Sequence, residues 1–210
     1  MAGKRADSAL TTMLFIEMYT LQRLWTNLTD EEFFWEPFPG TWSIRRREDC
    51  RTPTPFGQGE WVADYDAPAA MAADAAATGE PLTNIAWLMW HFGSMAGRTA
   101  QLDFLGGEKT PESGWTSPYI SDHPTFTSAT QAVEALQSGW RDLKSTLEAA
   151  TDEQLEQNTR FWGYPGPGPA ALGCHIVASM LNEIGHHGTQ VCVLRDLYRA
   201  AGGRPLASEP

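Results

Sequence analysis

Apolar residues recur at intervals of three and four along four separate stretches of the chain. That spacing collects them on one face of a helix. Leu10, Leu14, Glu17, Leu21, Leu24 and Leu28 mark a first helix over 8–28, with one acid in its seam. Asn84, Leu88, His91, Met95, Arg98, Leu102 and Leu105 mark a second, with Thr83 as its cap. Ala129, Val133, Leu136, Trp140, Leu143 and Leu147 mark a third behind a Thr127-Ser128 cap, and this seam carries no polar residue. The fourth spans 169–200, with Ile176, Met180, Glu183, His187, Gln190, Leu194 and Leu197 as its inward seam. Pro169 suits a first helical turn, and Gly202-Gly203 form a stop. After the first and third helices, Thr29-Asp30-Glu31-Glu32 and Thr151-Asp152-Glu153 each read as a cap followed by a short extra turn. That parallel hints at a repeated pair of helices.

The connections are long. Residues 35–80 are rich in Pro and Gly. Within them Trp42-Ser43-Ile44-Arg45 and Trp61-Val62-Ala63-Asp64-Tyr65 alternate bulky and polar positions, which predicts a short hairpin around Phe56-Gly57-Gln58-Gly59. The alanine-rich 66–78 fits either a turn or two of helix or irregular chain. Residues 106–126 read as a second Gly/Pro-punctuated loop, and 161–168 as a rigid aromatic lead-in able to wall a pocket. The expected fold class is all-α: a four-helix bundle with long inter-helix loops, one domain over 1–210, and any sheet confined to one short β-hairpin near 40–66.

Composition narrows the functional classes. A chain of 210 residues, 42% hydrophobic, can bury a substantial core. With 15 Lys plus Arg against 26 Asp plus Glu, the formal charge is −11. Nucleic acid and anionic membranes need a basic face, so neither is an expected partner. A small-molecule substrate is, with the chain a monomer or homodimer. Three cysteines without a Cys-x-x-Cys argue against a disulfide scaffold or a thiolate zinc site. The N-terminus has no apolar signal core, and no apolar run approaches the ~20 residues of a membrane span. The expected location is cytoplasmic.

The polar middle of the fourth seam carries the chemistry. Glu183 and His187 lie ~40° apart around a helix and ~6 Å apart along it, so both can face one object. A buried Glu–His ion pair that holds register is one reading, and two ligands of a metal ion is the other. His91 shares the inward face of the second helix. Two imidazoles and a carboxylate form the ligand set of catalytic zinc sites and also serve non-haem iron. A carboxylate-bridged di-iron centre is disfavoured, because Glu183-x-x-His186 has no second copy. His186 falls on a more polar stripe with Ser179, Asn182 and Thr189. Arg98, two turns beyond His91, is read either as a salt-bridge residue or as the anchor for a substrate carboxylate.

The run Asn182-Glu183-Ile184-Gly185-His186-His187-Gly188, continued by Val193-Leu194-Arg195-Asp196-Leu197, resembles the last helix of the DinB/YfiT-like superfamily. Ile85-Ala86-Trp87-Leu88-Met89-Trp90-His91 resembles its second helix, which ends in that superfamily's first metal-ligand histidine. Trp42-Ser43 after Leu28-Thr29-Asp30-Glu31-Glu32 is similar to its first inter-helix segment. The resemblance implies a four-helix bundle with a nickel or zinc site formed by His91, Glu183 and His187. Many members carry His-x-x-x-His on the last helix; here Glu183 takes the first place. That resembles the branch of the mycothiol-dependent maleylpyruvate isomerase and related thiol S-transferases. A metal-activated thiolate, with mycothiol as co-substrate, is the activity this implies. A hydrolase using metal-bound water and a non-catalytic metal-binding or stress-response bundle are the alternatives.

Overall fold

The computed structural model describes residues 3–57, 59–65, 82–98, 125–160 and 170–206. The expectations for 66–78, 106–124 and 161–168 lie outside the described residues. The architecture is mostly helical. In chain order it contains α1 (Lys4–Ile16), a π-helical turn (Glu17–Leu21), α2 (Gln22–Trp25), α3 (Asp30–Phe33), β1 (Ser43–Arg46) and β2 (Trp61–Asp64). There follow α4 (Ile85–Arg98), α5 (Ala129–Ala149), α6 (Asp152–Leu155), β3 (Asn158–Arg160), β4 (Ala170–Leu172) and α7 (Gly173–Ala201). Among these, α1 packs on α5 and α7, and α4 also packs on α5 and α7, so the four longest helices touch in a closed ring.

The third predicted helix is the plainest success. In α5, Ala129, Leu136, Trp140, Leu143 and Leu147 are buried, and Ser128 caps the start by accepting from the Gln131 N–H. The first helix departs from its prediction. It starts at Lys4, and the π-turn inserts an extra residue that rotates the inward face. Ala6 and Met13 are buried before it, Thr20 and Leu21 within it, and Leu24 after it. Leu14, expected in the seam, is 54% exposed. The π-turn faces α7 where that helix is narrowest. A Cβ on Gly188 would stand 2.7 Å from Thr20 Cγ2, so only glycine permits this approach.

The two short turns are as the sequence predicts. Thr29 caps α3, and Thr151 and Gln154 form a reciprocal capping box on α6. Each also serves the opposite half of the chain. The Asp152 carboxylate accepts from the Lys4 and Arg5 N–H groups at the start of α1, at 3.1 and 2.9 Å. The Asp30 carboxylate accepts from the Ala129 N–H at the start of α5, at 2.7 Å. Acid at a helix N-terminus is favourable, since unpaired N–H groups gather there. This reciprocity gives structural substance to the repeated helix pair.

The predicted hairpin is present, with β1 antiparallel to β2 in the register Ser43↔Asp64 to Arg46↔Trp61. Sheet is not confined to it: β3 pairs antiparallel with β4, from Asn158↔Leu172 to Arg160↔Ala170. Three-residue strands give too short an alternation to be read in advance. As a result, α7 begins at Gly173 rather than near Pro169. It ends at Gly202, whose φ of 60° is left-handed, with the Gly203 N–H returning to the Tyr198 carbonyl.

The largest correction concerns the rotation of α7. The expected seam of Ile176, Met180, Glu183, His187, Gln190, Leu194 and Leu197 is not the buried face. That face is Ile176, Val177, Leu181, Ile184, Gly188, Val191, Cys192 and Arg195, about one residue or ~100° away. Glycine carries no hydrophobic signal, so the face that lets α1 approach through Gly188 was invisible to periodicity. Arg195 seals that face at 1% exposure. Its Nε and Nη2 donate to the two oxygens of Glu32, at 2.8 and 3.1 Å. Nη1 donates to the carbonyls of Arg23 and Leu24, and Nη2 also to that of Asn27. All five N–H groups of the guanidinium are used.

Candidate metal centre

The elements that carry the site are tied together around Asn84. This residue, rather than Thr83, caps α4: its Oδ1 accepts from the Trp87 N–H at 2.9 Å. Its Nδ2 donates to Ser43 Oγ on β1 at 2.7 Å, and its backbone N–H to the Trp42 carbonyl. The hairpin is thereby fixed to the start of α4. From Ile85 to Trp90, and again at Phe92, α4 is buried on every side. Each large apolar side chain there contributes ~1.5–3 kcal/mol. His91, two turns in, is the polar position in this stretch and keeps a small accessible surface.

Across from it, α7 presents Glu183 and His187 on the margin of its buried face, with side chains 31% and 14% exposed. One ligand atom from each of His91, Glu183 and His187 lies within 4.8 Å of the others. The imidazoles of His91 and His187 meet edge to face at 4.9 Å. Phe92 stacks on His187 and Trp87 on His91, at 6.3 and 5.0 Å, so both rings are held by their neighbours. His186 stands outside this set. It is exposed, and its Nδ1 lies 3.0 Å from the Asn182 carbonyl of its own helix. Arg98 closes α4, and its side chain lies outside the described residues.

The protonation pattern fits a cation. His187 Nδ1 lies 2.7 Å from Gln190 Oε1. With an amide oxygen there, Nδ1 carries the hydrogen, and Nε2 faces Glu183 Oε2 at 3.3 Å. In the neutral imidazole that nitrogen keeps its lone pair. Two lone pairs so placed repel unless a proton or a metal lies between them. Burial pulls the His187 imidazole below its ordinary value, although Gln190 and Glu183 oppose this. Burial, with His187 and His186 nearby, pushes His91 down to about 3. His91 is therefore a neutral imidazole at physiological pH. The fit is not perfect: ligand atoms ~2.1 Å from a tetrahedral ion lie ~3.4 Å apart. Side chains must close by about an ångström, within reach of small torsional changes.

A family model for the DinB superfamily matches residues 52–191, two thirds of the chain. The chain belongs to the DinB superfamily. The matched DinB span contains all three clustered residues, and it omits α1 to β1 and the Arg195 anchor. No curated protein matches the chain, and no solved structure does. No helix among the described residues is long and apolar enough to cross a membrane.

Gln190 and Arg195 are the residues that periodicity misjudged. The seam spacing predicts Gln190 in the core, yet it is exposed, with its Oε1 2.7 Å from His187 Nδ1. Its signal is a carboxamide one turn beyond His187, able to accept from the second ring nitrogen as partners of metal-bound imidazoles commonly do.

Proposed function

We propose that the chain is a divalent-metal enzyme built as a DinB-type four-helix bundle, with His91, Glu183 and His187 holding one ion, zinc by preference. The observation that carries this reading is the convergence of one ligand atom each from His91, Glu183 and His187 within 4.8 Å, with His187 Nε2 facing Glu183 Oε2 at 3.3 Å. That donor set suits zinc, and nickel or iron are accommodated by the same atoms. The ion, when bound, supplies Lewis acidity that lowers the pKa of a coordinated thiol or water.

The remaining work belongs to the protein. Glu183 contributes one negative charge and the histidines none, so a divalent site retains a net positive charge and favours an anionic ligand. Gln190 holds His187 in the tautomer that presents Nε2. Trp87 and Phe92 fix the two rings in place. These features support a thiol-dependent S-transferase or isomerase of the mycothiol-dependent maleylpyruvate isomerase type. Arg98 is proposed to anchor the anionic end of a substrate, since seven residues beyond His91 is ~10 Å along the same face.

The test is turnover by zinc-loaded protein with mycothiol and a panel of electrophiles, beside amide and ester hydrolysis without thiol. Thiol-dependent transfer that disappears on chelation agrees with the proposal. Hydrolysis indifferent to thiol would move the site to the hydrolase class. Inactivity in both, with the ion bound, would leave a binding module.

A further inference from the structure

A wall of aromatic rings stands directly behind His91. Trp87 lies parallel to the imidazole, 5.0 Å away at an interplanar angle of 14°. Tyr65, just past β2, touches Trp87 at 5.6 Å, Trp90 at 5.9 Å, Trp42 at 5.2 Å and Phe56 at 6.1 Å. Packing alone would account for the rings, but not for their polar atoms. Trp87 and Trp90 are only 8% and 4% exposed, and the Nε1 of each finds no acceptor among the described residues. Buried indoles ordinarily pair this N–H, because leaving it bare carries the full desolvation penalty. The tilted faces of Tyr65 and Phe56, at 73° to Trp87 and 61° to Trp90, offer a weak N–H···π contact at best. A wall built only for packing would do better with phenylalanine at both positions.

Two unsatisfied donors one turn apart call for an oxygen acceptor, and the surrounding rings call for a flat apolar body. The five side chains of the wall include no carboxylate and no ammonium or guanidinium group, so the portion it recognises is uncharged. Tyr65 and Phe56 are half-buried, so part of the wall meets solvent, whereas both indole Nε1 atoms are buried and an acceptor reaches them only if a neighbouring ring moves aside. The Tyr65 hydroxyl makes no hydrogen bond among the described residues.

We propose that this wall binds an aryl carbonyl group of the substrate, with its ring against Tyr65 and Trp87 and its oxygen accepting from Nε1 of Trp87 or Trp90. The wall stands on its own contacts; only the direction of the substrate's reactive end toward His91 rests on the metal reading. Benzohydroxamic acid and acetohydroxamic acid separate the two ideas. Both carry a carbonyl and a metal-chelating group, and they differ in the ring. Binding is followed by tryptophan fluorescence in zinc-loaded protein and in the His187→Ala variant.

The aryl compound should bind about tenfold more tightly than the alkyl one in both proteins, as expected for a stacked ring. Trp87→Phe and Trp90→Phe keep the ring and remove the N–H. At least one of them should weaken benzohydroxamate about fivefold, the worth of one neutral hydrogen bond, with zinc content unchanged in Trp90→Phe. Equal affinity for the two compounds would overturn the wall as a binding surface. Undiminished binding in both variants would overturn the role of the donors. Failure of zinc to bind would remove the metal reading, while the comparison in His187→Ala still decides the wall.

Discussion

Replacing Arg195 with alanine should be among the most damaging single changes in the chain, although Arg195 lies two turns from the nearest clustered ligand. The guanidinium is 1% exposed and the Glu32 side chain 5%, so the pair is removed from water. Arg195→Ala leaves the Glu32 carboxylate buried, and it also strips the carbonyls of Arg23, Leu24 and Asn27 of their donor. Breaking a buried ion pair by removing one partner costs about 3–5 kcal/mol. The exposed Arg199, 3.8 Å from the same carboxylate, can recover part of this and favours the lower half of the range. For a chain of this length the loss corresponds to a fall in Tm of about 6–15 °C. Urea unfolding of metal-free protein, followed by circular dichroism, measures it without interference from ion binding. Arg195→Leu combined with Glu32→Leu should regain much of the loss, because the second change removes the stranded charge. Because Arg195 fixes the rotation of α7, the single variant should also weaken zinc binding at Glu183 and His187. A change below ~0.5 kcal/mol in Arg195→Ala would refute the reasoning, as would a double variant no better than the single one.

Three further outcomes follow from individual contacts. Trp140→Ala should cost about 3–5 kcal/mol for a buried indole; Trp140→Phe, which loses the Nε1 hydrogen bond to Glu17 and part of the indole volume, should cost less, about 1–3 kcal/mol in the same unfolding assay. Asp64 titrates low: burial pushes its carboxyl up, but donors from Arg51, Thr52 and Arg45 outweigh this. Its contribution is therefore present above the ordinary aspartate value of about 3.9 and is lost as pH falls through the lower folded value, so Asp64→Asn should flatten the acid limb of a stability–pH curve while lowering stability at pH 7. Gln190→Leu should weaken zinc affinity about 10–100-fold by calorimetry, with Gln190→Glu restoring much of it, since either acceptor can orient His187.

The legible parts of the sequence were those where one physical signal dominated. α5 is a clean amphipathic helix, so its seam and cap could be read directly. The Thr29 and Thr151 caps are local chemistry, and the β1–β2 pairing follows from alternation around a glycine-rich turn. The clustering of His91, Glu183 and His187 was legible, through the inward place of His91 and the Glu183–His187 spacing. Their surroundings were misjudged: the two α7 residues lie on the rim facing α4, not on the central seam. That error has two sources. Apolar residues surround α7 on several faces, which leaves periodicity little contrast. The face actually buried is defined by a glycine and an arginine, residue types that are weighted toward surface and turn. The π-turn in the first helix is a third case, because a one-residue insertion shifts the phase without changing composition. Long-range contacts such as Asp152 to α1 and Arg195 to Glu32 leave no local trace at all.

Metal content in four proteins tests the central claim most directly: the wild type, His91→Ala, His187→Ala and His186→Ala, each purified and reconstituted with zinc, then measured by elemental analysis. The arrangement predicts about one divalent ion per chain in the wild type, as a single three-ligand site would hold. It predicts the ion kept in His186→Ala, whose ring stands outside the cluster, and lost in both other variants. Zinc should also raise the Tm of the wild type and of His186→Ala alone, since an ion that binds only the folded state stabilises it by mass action. Metal retained in His187→Ala and lost in His186→Ala would contradict the assignment of these ligands, and with it the proposed chemistry of the site.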